Sequence, residues 1–136
     1  MPETQSPGST RTVTMYPTLR YRDALAAIAW LGEAFGFERQ LVVPGEDGRV
    51  VHAELRLGDG IVMLGSVSDG SDGRLPHPDG TTGVYVALDD VDALYARARA
   101  AGAPMVRDKQ ETDYGSTEFT TRDPEGNTWS FGTYRP

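Results

Sequence analysis

His52 and Glu54 stand two residues apart in a run where polar and apolar side chains alternate. Val51, Ala53, Leu55 and Leu57 form the apolar set, and His52, Glu54 and Arg56 form the polar one. A period of two marks a strand with one buried and one open face, so His52 and Glu54 project into the same space. An imidazole beside a carboxylate can serve as a base with its orienting partner, contribute to a metal site, or contact a ligand. A cross-strand polar pair half in solvent is the plainer alternative. His52 and Glu54 are thus the two catalytic candidates. The same alternation places Tyr16 and Thr18 with Thr14 and Arg20, opposite Val13, Met15, Pro17 and Leu19. Ser130 falls with Thr128 and Gly132, opposite Trp129 and Phe131, which belong to the core. With Glu118, the residues Tyr16, His52 and Glu54 give a cleft of rings and carboxylates. Such a lining suits a cationic or aromatic organic ligand, because both group types attract positive charge.

Several other chemistries are excluded. There is no cysteine, hence no disulfide, thiolate nucleophile or Cys-ligated metal, and a reducing cytoplasm is the simplest home. The two histidines, His52 and His77, exclude any site that needs three; His77, between prolines, reads as a solvent-exposed loop residue. No GxxxxGK[ST] or GxGxxG opens a helix, and no nucleophile elbow partners either histidine. Thirteen Lys/Arg against twenty Asp/Glu leave a net charge of −7, which repels phosphate backbones. The longest apolar run, Ala24–Leu31, is eight residues, against the roughly 20 that span a bilayer. Neither nucleic acid nor membrane is an expected partner.

The elements that position these residues come in duplicate. Asp23 precedes a helical pattern with apolar positions Leu25, Ile28, Gly32 and Phe35, and Asp89-Asp90 precedes Val91, Leu94, Ala98 and Ala101 at the same spacing, 66 residues on. Gly36 and Gly102, and Gly60 and Gly126, repeat the offset. Aspartates suit helix N-caps and the glycines suit left-handed helix ends. A fixed offset across both helices and turns is the mark of a duplicated unit. Each unit reads strand, helix, strand, strand, strand. Strands are expected at Thr12–Tyr21, Glu38–Val43, Val50–Leu57 and Ile61–Ser66, then at Gly83–Leu88, Pro104–Arg107, Thr117–Arg122 and Thr128–Thr133, with Gly58-Asp59-Gly60 and Asp123-Pro124-Glu125-Gly126 as hairpin turns. Residues 1–11 read as a disordered lead-in, 12–66 as the first βαβββ module, 67–82 as a flexible inter-module loop and 83–136 as the second module. Arg107–Ser116, densely charged, reads as a flap.

The segments LRYRDALAAIAWLGEAFGFE (19–38), HAELRLGDGIVML (52–64), VALDDVDALYARARAAGA (86–103) and RDPEGNTWSFG (122–132) resemble the vicinal oxygen chelate superfamily of glyoxalases, bleomycin-resistance proteins and extradiol dioxygenases. Within it they are most similar to the glyoxalase-like branch often labelled phosphonate-metabolism-B-like. The resemblance implies an α+β fold of two βαβββ modules whose curled mixed sheets surround a cleft, usually completed in a homodimer. It also implies four metal-ligand positions, His or Glu in the family's metal enzymes. Here these fall on Tyr16, Met63, Val84 and Ser130, none of them an imidazole or a carboxylate. The expectation is therefore a homodimeric, cytoplasmic, metal-independent protein without a cofactor. It would enclose a small organic ligand with Tyr16, Thr18, His52, Glu54, Met63, Val84, Val86, Glu118 and Ser130, as in bleomycin-type antibiotic resistance. The rival is a metal-dependent lyase, isomerase or dioxygenase. A third reading, in which Met63, Val84 and Val86 close the cleft, leaves a partner-binding module. Trp30, Tyr85 and Tyr114 belong to the cleft or to a dimer seam.

Overall fold

A computed structural model describes residues 13–68, 70–71 and 81–136; the expectations for segment 1–11, for His77 and for most of the 67–82 loop lie outside the described residues. The chain order is β1 (Thr18–Tyr21), α1 (Ala24–Phe35), β2 (Glu38–Pro44), β3 (Val50–Leu57) and β4 (Gly60–Ser66). It continues with β5 (Gly83–Ala87), α2 (Val91–Ala100), β6 (Met105–Glu111), β7 (Thr117–Arg122) and β8 (Thr128–Gly132). A short 3₁₀ turn, Glu46–Gly48, joins β2 to β3. The strands form two four-stranded sheets, ordered β1-β4-β3-β2 and β5-β8-β7-β6. In each sheet the first strand runs parallel to the last and every other pair is antiparallel. This is the duplicated α+β architecture read from the sequence.

Both helices begin as their sequences dictate. Asp23 accepts from the Ala26 amide at 3.1 Å and Asp90 from the Ala93 amide at 3.0 Å, satisfying amides that have no partner inside the helix. Gly36 ends α1 at φ 87°, a left-handed conformation that a Cβ would strain. The buried face of α1 is Ala24, Ala27, Ile28, Leu31, Ala34 and Phe35; that of α2 is Val91, Leu94 and Ala98. These faces, like the N-caps, correspond at a separation of 67, not 66, and Leu25 lies in solvent.

One core joins the two halves. Phe35 of α1 packs its ring 5.6 Å from Trp129 and 4.7 Å from Phe131, both on the second sheet. Leu19, Tyr21, Ala53, Leu55, Val62 and Leu64 close it from the first sheet. Aromatic pairs at these distances add about 0.5–1.5 kcal/mol each beyond their area burial. Polar straps cross the same boundary. The Tyr21 hydroxyl donates to Asp123 Oδ2 at 2.7 Å, and the Glu125 carboxylate accepts from the amides of Arg22 and Asp23 at 2.7 and 2.9 Å. Arg97 of α2 donates to the last carbonyls of α1, Gly32 and Glu33, at 3.0 Å each. A cation at a helix C-terminus also meets the favourable end of the dipole.

Three expectations need correction. The first strand is only Thr18–Tyr21, and Val13 and Met15 are exposed rather than core. Pro17 has no amide to donate; its carbonyl takes the Met63 amide at 2.9 Å and the chain ahead of it leaves the sheet. In β3 the register slips beside Val43 and Pro44, so Val50 is buried and Val51 is turned out, against simple alternation. Arg107–Glu111 is no flap but most of β6, paired with β7, and only Thr112–Ser116 forms the turn. An edge strand needs only backbone pairing and tolerates charge along its length. Here Lys109 also donates to Asp92 of α2 at 2.7 Å and sits 5.0 Å over the Tyr95 ring, while Asp108 accepts from the Tyr95 hydroxyl.

Candidate functional site

Because the helices pack on one side of each sheet, the other side of each is open. On the first sheet the open face carries Thr18 and Arg20 from β1, Met63 from β4, and His52, Glu54 and Arg56 from β3. His52 Nε2 lies 2.9 Å from Glu54 Oε2, the pairing expected from their two-residue spacing. Gln40 donates to the other Glu54 oxygen at 2.8 Å and accepts from Arg56, so four side chains form one chain of hydrogen bonds. Donation by His52, then by Gln40, holds the Glu54 carboxyl below the usual carboxylate range. Gln40 enters this network from a bulge in β2, an irregularity that no alternation pattern reveals. Gly65 has a packing reason: a Cβ there would stand 2.5 Å from the Arg20 guanidinium and 2.9 Å from the Val51 carbonyl.

On the second sheet the open face carries Tyr85, Glu118, Thr120 and Ser130. Tyr85 lies opposite Ser130, and Ser130 shares a 2.8 Å hydrogen bond with Thr120. Glu118 accepts from the Tyr114 hydroxyl at 2.9 Å, and Tyr85 donates to the Tyr134 carbonyl at 2.6 Å. Burial, with the Glu118 charge second, raises the Tyr85 hydroxyl above its ordinary pKa; donation to Glu118 is the main cause of the same rise at Tyr114.

Val84 and Val86 point differently from the other expected site residues. Val84 sits opposite Trp129 and Val86 opposite Phe131, the two core aromatics. With Tyr16 they line a groove of about 680 Å³ between the 14–17 segment, the β3–β4 hairpin and the edge of β5. The expected residues therefore occupy three places. His52, Glu54, Thr18 and Met63 share the first open face, Glu118 and Ser130 the second, and Tyr16, Val84 and Val86 the groove.

The positions where the parallel strand pairs bring side chains together on the open faces are Thr18 with Met63 and Tyr85 with Ser130. Two hydroxyls, a thioether and a phenol do not suit a divalent cation, which takes imidazole nitrogen or carboxylate oxygen. Among the described residues, no three His, Asp or Glu side chains converge as a metal site would require.

The strand order and register define a two-module α+β protein built from two βαβββ units. The family model of the Glyoxalase/Bleomycin resistance protein/Dioxygenase superfamily matches residues 13–131, and the chain belongs to that superfamily. Among solved structures, TioX from Micromonospora sp. ML1 is similar at 31% identity and a TM-score of 0.76, over 90% of this chain and 100% of that one. A lactoylglutathione lyase from Agrobacterium tumefaciens is similar at 26% identity and a TM-score of 0.70, over 89% of this chain and 92% of that one. An uncharacterized protein of Mycobacterium tuberculosis is 32% identical over 94% of this chain and 81% of its own length.

Proposed function

We propose that this protein binds a small organic molecule, cationic or aromatic, against its open sheet faces, and that it does so without a metal or other cofactor. The observation that carries the reading is the pair of unlike open faces. One holds the Arg56–Gln40–Glu54–His52 chain together with Arg20, and the other holds Glu118 among tyrosines. A face so rich in polar groups and rings is costly to leave as a dry core and well suited to hold a ligand. The two faces belong to different sheets, and α1, packed on the first sheet, also meets α2 and the second sheet's Trp129 and Phe131. A homodimer that sets the first face of one copy against the second face of another would complete the cleft. The arginines of one face and the acidic lining of the other are complementary in charge. A cysteine-free chain of net charge −7 suits the cytoplasm. Among the described residues no helix is long and apolar enough to cross a membrane.

The test is thermal stability across a panel of organic cations and neutral aromatics at millimolar concentration, with sedimentation equilibrium for the dimer. Binding at 100 times Kd should add about 2.7 kcal/mol. No shift with any panel member, or a monomer at every concentration, would sink the reading. The likeness to a lactoylglutathione lyase favours a second one, a lyase, isomerase or dioxygenase that uses a divalent metal. Elemental analysis and titration with nickel, zinc, iron and manganese decide it, since this second reading requires one ion per site.

A further inference from the structure

Three of the six tyrosines, Tyr85, Tyr114 and Tyr134, are linked to one another beside the carboxylate of Glu118 while remaining 41%, 60% and 49% exposed. Burying those rings would be the ordinary use of such large apolar groups. The arrangement is held from several directions. The rings of Tyr114 and Tyr134 meet edge to face at 5.7 Å, the Tyr114 hydroxyl fixes Glu118 at 2.9 Å, and the Tyr85 hydroxyl is tied to the Tyr134 carbonyl at 2.6 Å. Gly132 lies beneath, directly opposite Glu118 across the β7–β8 ladder. A Cβ at Gly132 would stand 2.5 Å from the Tyr85 hydroxyl oxygen and 2.8 Å from Glu118 Cγ, so the glycine lets both side chains lie over the strand. Among the described residues no lysine or arginine forms an ion pair with Glu118. Arg135, the cation whose charge reaches Tyr85, is engaged with Asp89 at 3.2 Å.

We propose that Tyr85, Tyr114, Tyr134 and Glu118 form an aromatic cage for the positive head of the ligand, a quaternary ammonium or a protonated amine. The proposal rests on the ligand-binding reading above and narrows it to one charge class and one subsite. Ring faces carry negative quadrupole charge, and a carboxylate beside them supplies the formal counter-charge. An aromatic ligand without charge would use the rings but gain nothing from Glu118.

The experiment is an NMR titration of tyrosine ring signals with choline, with its uncharged isostere 3,3-dimethylbutan-1-ol, and with 2-naphthol. Choline is expected to shift Tyr85, Tyr114 and Tyr134 and to bind about tenfold tighter than the isostere. Glu118→Gln should weaken choline about fivefold or more and leave the isostere unchanged. Tyr114→Leu should weaken choline about two- to fivefold, the range of one exposed cation–π contact, whereas Tyr114→Phe, which keeps the ring, should stay within about twofold. Circular dichroism and melting of each variant establish that it is folded. Equal binding of choline and the isostere, or an unchanged choline affinity in folded Glu118→Gln, overturns the cage. Loss of choline binding with 2-naphthol still bound removes the cage and leaves the ligand-binding reading standing; no binding of any of the three removes both.

Discussion

Replacing Tyr21 by phenylalanine tests the joint between the modules. Tyr21 is fully buried at the end of β1, and its hydroxyl donates at 2.7 Å to Asp123, itself 4% exposed in the β7–β8 turn. The same carboxylate oxygen accepts from Asn127 Nδ2 at 3.0 Å and Trp129 Nε1 at 3.1 Å, while the other accepts the amides of Glu125 and Asn127. Asp123 thus keeps four donors in Tyr21→Phe, and the loss is one charge-assisted bond, about 1.5–3 kcal/mol at neutral pH. For a domain of this size that corresponds to roughly 4–12 °C in Tm. The pH dependence supplies an independent check. Burial, with the Asp123 hydrogen bond next, pushes the Tyr21 hydroxyl far above its ordinary value of 10. The unfolded chain therefore loses this proton above pH 10 while the native protein keeps it, so stability falls as pH rises. The slope is about 1.4 kcal/mol per pH unit for one proton. The phenyl ring of the variant titrates in neither state, so the wild-type advantage should shrink by about 1 kcal/mol between pH 10 and 11, where the unfolded tyrosine is still only partly ionised at the lower pH. Urea unfolding at fixed protein concentration at pH 8, 10 and 11 measures both effects. A variant within about 0.5 kcal/mol of wild type at pH 8, well below the range for a charge-assisted bond, would refute the assignment of this bond as the module joint, as would a difference that stays constant up to pH 11.

Three further outcomes follow from the same geometry. In His52→Ala the Glu54 carboxyl loses its main hydrogen-bond donor, so its pKa should rise toward 4.5, read from the side-chain carbonyl carbon by NMR; an unmoved value would mean that the pair is not formed in solution. Glu118→Gln should lower the pKa of both Tyr85 and Tyr114, seen as earlier phenolate absorbance in an alkaline titration, because Glu118 raises both. Phe35→Ala removes the ring between the two sheets and should cost about 3–5 kcal/mol in denaturant unfolding, whereas Leu25→Ala on the exposed side of the same helix should cost well under about 1 kcal/mol.

The sequence by itself determined the duplicated βαβββ order, the aspartate caps, the αL glycine of α1, and the pairing of His52 with Glu54. Each of these is a local pattern in which the residues that make the feature also announce it. What the sequence could not determine was register. The resemblance put Tyr16, Met63, Val84 and Ser130 at corresponding positions, whereas the strand pairing sets Thr18 opposite Met63 and Tyr85 opposite Ser130. In a strand one residue reverses the face, so that slip exchanges an open-face tyrosine for a core valine. The bulges that turn out Val51 and bring in Gln40 are likewise settled by pairing with a neighbouring strand. Tertiary structure alone linked Tyr134 to both Tyr85 and Tyr114 beside Glu118, and it alone brought Tyr21 to Asp123, 102 residues away. No periodicity links such residues, because what joins them is the packing of one module against the other and the curl of a sheet. The same packing seats Phe35 of α1 against Trp129 and Phe131, so the two open faces lie on separate sheets of one core, an arrangement set by long-range side-chain contacts and not by any local pattern.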